Sequence, residues 1–348
     1  MNEAAGTADL VAKNNEHIAL FDNVKGILII LVVIGHFIEP YVDDSHFFKS
    51  LFLFIYSFHM PLFIFVAGCF HKNEQVKERV IGFLSIYLAF KVVIAVSKAV
   101  CAQQFTISIL SEDGSPWFMF AMAVFICAAY TLRDVNIKVV LFLTLTLSCC
   151  AGYDKTFGDF LVASRIIVFF PFYYAGKLFS REMAKKLAGT RKYKIFGCLV
   201  LLIWLVICYF QIDLLYILRH LFTGRNPYND TVRPLGWLFR SGCYVLSAVV
   251  GLSVIAAAST RKLGYLTTIG SRTLQIYFWH IPIRNILYHI GWMDKLMAVG
   301  TVGKLLLILS ATGIVFILSA KPFTQPTSYL IKISKNKLAH VGAKRKYT

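Results

Sequence analysis

Ten apolar runs, near residues 25–41, 47–70, 80–97, 116–131, 138–151, 161–176, 195–212, 236–258, 273–290 and 304–320, decide most of what this chain can become. A soluble domain has no place to hide so many such runs, whereas roughly 20 apolar residues in a helix cross a bilayer. The residues are 57% hydrophobic and 16% charged, against about 45–50% and 25% in soluble domains. The sequence therefore predicts an all-α polytopic membrane protein of about ten transmembrane helices.

Charge in the connections orients it. With the N-terminus in the cytosol, the inside segments hold 24 of the 36 Lys and Arg residues. The outside loops include EPYVDDSH, SEDGS and GYDKTFGD, which are acidic or poor in basic residues. Segment 213–235, with Arg219, Arg225 and Arg233, is the exception. This positive-inside pattern places both termini in the cytosol. Residues 1–20 read as a short mobile cytosolic tail, 21–322 as a single membrane domain without internal repeats, and 323–348 as a basic cytosolic tail. The first run reads as a retained anchor, because no basic segment, short apolar core and cleavage site precede it. The net charge of +18 sits beside the membrane, so the expected partners are lipids and not nucleic acid. Eight cysteines without CxxC or CxxH spacing indicate neither a disulfide framework nor a metal site.

Ionisable residues inside apolar runs are costly and mark function. In FDNVKGILIILVVIGHFIEPY (21–41), Lys25 and His36 are eleven residues apart. They fall within about 20° of one helix face and about 16 Å apart along the axis. Asp22 is within about 40° of the same face. His36 lies about 18 Å into its run, His280 about 12 Å into its own, and His59 about 18 Å from the outer end of the second run. Three imidazoles near mid-membrane suggest a shared cavity; the other reading is that each ties helices together. Arg165, Arg240 and Arg284 point to the outer half, around an external site or snorkelling to the interface. Trp117 begins a run, as aromatic-belt residues also do. On the cytosolic side, Lys25, Lys77 and Arg79 suit phosphate oxygens, or simply set topology. No Walker loop, Gly-x-Ser-x-Gly elbow or HExxH helix is present, which disfavours nucleotide hydrolysis, serine hydrolysis and zinc proteolysis.

The stretch FDNVKGILIILVVIGH resembles the first span of the membrane acyltransferase 3 family, especially its fucose 4-O-acetylase-like branch. SFHMPLFIFVAGCF, ERVIGFLSIYLAF, SPWFMFAM and TIGSRTLQIYFWHIPI follow in the family's order, so the resemblance covers residues 21–290. It implies an O-acyltransferase, usually an O-acetyltransferase, that moves an acyl group from cytosolic acetyl-CoA or another acyl-CoA to a carbohydrate hydroxyl. His36 would be the catalytic base, with Lys25 and Asp22 shaping the donor site. The CoA phosphates would rest near Lys25, Lys77 and Arg79, with no metal required. His59, Trp117 and His280 are candidates for the oxyanion donor. The acceptor, a surface glycan or lipid-linked carbohydrate, would bind within the spans and the 213–235 loop. These implications place the enzyme in a bacterial cytoplasmic membrane and in polysaccharide modification; no sequence feature sets an oligomeric state. A second reading is a proton-coupled exporter of an envelope precursor, against which the absence of an internal repeat counts.

Overall fold

The computed structural model describes residues 2–110, 114–155, 158 and 160–333, with side chains from Ala19 onward. Its regular elements are all helical. They run α1 (Asn2–Ile38), α2 (His46–Tyr56), α3 (His59–Cys69), α4 (Val76–Val100), α5 (Trp117–Thr131), α6 (Ile137–Ala151), α7 (Ala163–Leu178) and α8 (Arg181–Gly189). There follow α9 (Arg191–Phe210), α10 (Ile212–Leu215), α11 (Arg219–Phe222), α12 (Gly236–Ala257), α13 (Tyr265–Ser271), α14 (Thr273–His289), α15 (Trp292–Met297) and α16 (Thr301–Leu318). Four 3-10 turns complete the list. Helix α1 begins inside the segment expected to be a tail. Most of the basic C-terminal tail (334–348) lies outside the described residues.

Each of the ten apolar runs contains a helix or, in the second, a helix pair. Among the described residues, six are long and apolar enough to cross a membrane: Ala19–Tyr41, His46–Cys69, Val76–Val100, Arg191–Phe210, Arg233–Ala257 and Thr301–Leu318. Helices α5 and α6 are apolar but have 15 residues each. Helices α7 and α14 have 16 and 17 residues, each with an internal proline and buried ionisable groups.

Helix α1 is the hub. It packs on α13 around Asp22–Gly26 and on α14 and α16, with α2 and α3 alongside. Val24, Leu28, Val33, Phe37 and Ile38 are wholly buried along it. Apolar burial alone does not drive helix association in lipid; close approach of small residues does. Gly68 of α3 faces Gly176 of α7, and a Cβ on either would run into the backbone of the other helix, at the carbonyl oxygens of Tyr173 and Phe65 respectively.

The second run is not one helix. It breaks at Ser57–Phe58, where Phe58 leaves helical geometry (φ −141°, ψ −22°). Broken backbone at this depth is tolerated only where protein groups satisfy it. Ser247 Oγ donates to the Ser57 carbonyl at 2.5 Å, and Trp204 Nε1 donates to Ser57 Oγ at 2.9 Å. The break therefore precedes His59, and Pro61 does not interrupt a helix interior. It sits in the first turn of α3, where its missing N–H costs little.

His36 also lies elsewhere along the axis than the sequence spacing indicates. Helix α1 gives way to a 3-10 turn at Glu39–Tyr41, with Pro40 at its start. His36 thus occupies the last turn of α1, near one end of the bundle and not mid-span.

Gly68→Ala should lower thermal stability in detergent by about 1–3 kcal/mol, the range for overpacking a tight contact. An unchanged melting profile would show that α3 and α7 part easily.

Candidate active site

At the end of the bundle where α1 closes lies a cavity of about 790 Å3. The last turns of α1, α4 and α14 and the first turns of α5 and α7 wall it, with α2 and the 216–225 segment closing the side. His36, His59, Trp117, Arg165 and Arg284 all line it, and His280 stands directly behind. Of the eight cysteines, all are free thiols.

His36 sits between two partners. Its Nδ1 donates to Glu39 Oε2 at 3.2 Å, and its Nε2 accepts from Ser115 Oγ at 3.3 Å. Donation through Nδ1 to a carboxylate leaves the lone pair on Nε2, the tautomer a general base needs. Arg284 Nη1 lies 3.8 Å from the same Glu39 oxygen and donates weakly to the His36 carbonyl at 3.5 Å. An imidazole, a carboxylate and a guanidinium therefore form one chain at the helix end. Ser115 is itself held, because the Tyr277 hydroxyl donates to its carbonyl.

The other two imidazoles are oriented by backbone. His59 Nδ1 donates to the Ile55 carbonyl at 2.9 Å, so its Nε2 is the free nitrogen of the neutral ring. His280 Nδ1 donates to the Tyr277 and Ile276 carbonyls at 2.8 and 3.2 Å; its buried Nε2 makes no hydrogen bond. The His36 and His280 rings are 5.3 Å apart between centroids, and Tyr56 bridges His36 to His59 at 6.4 and 4.6 Å. On the opposite wall the Arg165 guanidinium lies 4.7 Å over the Trp117 ring, which stacks on Phe169.

Sequence reasoning gave no role to Glu39, Ser115, Tyr56 or Tyr277. Glu39 was legible, since it stands three residues after His36 on the same face. Ser115 lies two residues before Trp117, but only the fold shows that it meets His36.

Asp22, Lys25, Lys77 and Arg79 are not among the cavity's walls. Lys25 Nζ pairs with Asp22 Oδ1 at 2.8 Å, Lys77 is exposed, and Arg79 Nη1 donates to the Lys72 carbonyl at 2.9 Å. Beside Arg79, His71 accepts from the Tyr173 hydroxyl at 2.8 Å and donates to Asn73 Oδ1 at 3.0 Å. Burial holds His71 below the usual imidazole range, so it is neutral at pH 7. Within α1 (Asn2–Ile38) Lys25 is separated from His36 by about 16 Å of helix.

The loop between α11 and α12 is anchored on α6 and the start of α12. Tyr228 fills the space beside Gly152 and Gly236 and donates its hydroxyl to the Cys149 carbonyl at 2.8 Å. Burial pushes this phenol up to about 12, so it remains a donor at physiological pH.

Helices of this apolarity, with a base-carboxylate pair in a polar chamber at one end and cationic groups at the other, define a multi-pass membrane protein built for group transfer. The chain belongs to the acyltransferase 3 family: the profile of the family's acyltransferase domain matches residues 18–320. Nodulation protein NolL of Sinorhizobium fredii is 27% identical over 281 residues, spanning 72% of this chain and 69% of that protein. Nodulation protein NolL of Mesorhizobium japonicum is 25% identical over 226 residues, 59% of each. No solved structure matches the chain.

Tyr277→Phe should destabilise the protein by about 1–3 kcal/mol, because it leaves the buried Ser115 carbonyl without its donor. Thermal unfolding measures this; a shift confined to activity would mean that another group takes the place of the hydroxyl.

Proposed function

We propose that this acyltransferase is an O-acetyltransferase of the fucose 4-O-acetylase-like branch. In this reading it takes its acyl group from cytosolic acetyl-CoA and delivers it to a hydroxyl of a cell-surface or lipid-linked carbohydrate. The observation that carries this is the hydrogen-bonded chain Glu39–His36–Ser115 opening on a chamber of about 790 Å3. The positive-inside asymmetry supports ten spans with cytosolic termini in a bacterial cytoplasmic membrane. The chamber then faces outward, and the Lys25 end faces the cytosol.

The acceptor hydroxyl enters from the outer side and gives its proton to His36 Nε2 as its oxygen attacks the thioester carbonyl. Glu39 holds the ring in the working tautomer and stabilises the imidazolium that forms. Arg284 keeps the Glu39 carboxylate in place. The tetrahedral oxyanion needs a donor: Trp117 carries an N–H and Arg165 supplies positive potential beside it, whereas the neutral rings of His59 and His280, whose Nδ1–H groups are bonded to backbone carbonyls, could donate only after protonation. When the intermediate collapses, the CoA thiolate leaves toward the cytosolic end. Charge-assisted contacts from Lys25, Lys77 and Arg79 suit the CoA phosphates there, with Asp22 setting the position of Lys25. Transfer is read as direct.

The test is purified protein in nanodiscs with radiolabelled acetyl-CoA and an extract of surface glycans. His36→Ala should reduce label transfer by about 10²–10⁴-fold, the usual contribution of a general base, without loss of protein. Glu39→Gln should give a smaller fall in kcat. Full activity of His36→Ala would remove His36 from the mechanism.

At the donor end, Lys25→Ala and Arg79→Ala should raise the KM for acetyl-CoA by about tenfold with little change in kcat, the pattern of lost ground-state binding. A fall in kcat at constant KM would place these residues elsewhere in the reaction.

A further inference from the structure

Arg240 is the largest wholly buried side chain among the described residues, at 1% exposure. One edge of its guanidinium is used: Nη2 donates to Asn226 Oδ1 at 2.8 Å and to the Arg225 carbonyl at 3.3 Å. The ring of Tyr228 lies 5.1 Å from its centre. The other edge, Nε and Nη1, makes no hydrogen bond, and among the described residues no carboxylate pairs with it. A buried guanidinium without an anion is costly, and more so in a membrane. The two idle N–H groups are the fork that phosphate oxygens fit.

Its surroundings say what would bring the phosphate. Arg240 lines a narrow neck of about 10 Å3, room for about one water, so a phosphate reaches it only when the neck's side chains Phe169, Phe222 and Tyr244 turn aside. Toward one side the neck shares Phe169 and Phe222 with the polar chamber. Toward the other it shares Pro61, Phe172, Tyr244 and Ser247 with an apolar groove of about 330 Å3 between α3, α6, α7 and α12. The groove is walled by residues such as Leu141, Leu145 and Leu252; Val245 on its edge is 64% exposed, on a helix surface that meets lipid. Arg240 stands about 6 Å into α12 from Gly236, close to the level at which the headgroup region begins. Polar chamber, unpaired cation and apolar groove thus follow one another in the order sugar, phosphate and hydrocarbon chain.

Resting on the acyltransferase reading above, we propose that the acceptor is a sugar joined through phosphate to a long apolar chain. Arg240 holds the phosphate, the α3–α6–α7–α12 groove holds the chain, and the sugar reaches past Phe169 and Phe222 into the chamber of His36.

The experiment measures binding, without acyl donor, of tritiated geranylgeranyl phosphate to the full chain in phosphatidylcholine nanodiscs. Wild type should bind it saturably, and neither geranylgeraniol nor inorganic phosphate should displace it at equal concentration. Arg240→Gln should weaken binding by about tenfold or more, as expected for a lost charge-assisted contact, with Arg240→Lys between the two. Ala248→Phe, which fills the groove and leaves Arg240 intact, should weaken it comparably, and so decides the matter even where Arg240→Gln fails to fold. Equal binding by wild type and Ala248→Phe, displacement by inorganic phosphate alone, or equal displacement by phosphatidylglycerol would overturn the proposal. The last of these outcomes would mark an ordinary bilayer-lipid site. Lost lipid binding beside intact acetyl transfer to a lipid-free glycan rejects the subsite only. Intact lipid binding beside no acyl transfer from any acyl-CoA rejects the enzymatic reading only.

Discussion

A charge or an open backbone group inside this bundle must find a partner in the protein, because lipid offers none. That constraint explains the shape of the chamber. Glu39 is held by His36 and Arg284, Ser115 by Tyr277, and the broken backbone at Ser57 by Trp204 and Ser247. Apart from His36–Glu39, three residues apart, each interaction joins segments distant in sequence, so the polar groups of the chamber also hold the bundle in register. Arg240 is instructive because it obeys the rule on one edge only.

The same constraint separates two ends of the molecule. The imidazoles and Arg165 converge where α1 ends, while the Asp22–Lys25 pair and the groups around Arg79 stay at the other end. A reaction joining them needs a donor long enough to reach along α1, which is the physical content of the eleven-residue spacing between Lys25 and His36.

Much of this was legible in the sequence. Every apolar run became helical, since runs of that length and composition leave the backbone no other way to satisfy itself. The sequence grouped His36, His59 and His280 by reading all three near mid-membrane; the structure brings their rings together with His36 in the last turn of α1. What was not legible depended on helix ends. Hydropathy could not show that α1 gives way to a 3-10 turn at Glu39–Tyr41, which puts His36 in the last turn of the helix. It could not show that the second run breaks before His59, because the partners that permit the break, Ser247 and Trp204, lie roughly 150 to 190 residues away in sequence. Arg240 read equally well as a snorkelling residue, since sequence does not reveal which face of α12 turns inward.

The plug formed by Tyr228 has a further consequence. Its ring leaves no room for a Cβ at Gly152 or Gly236, its hydroxyl is tied to α6, and its backbone N–H donates to the Gly152 carbonyl at 2.7 Å. The segment that follows α11 is thereby moored to two helices and not free to fold over the chamber as a lid.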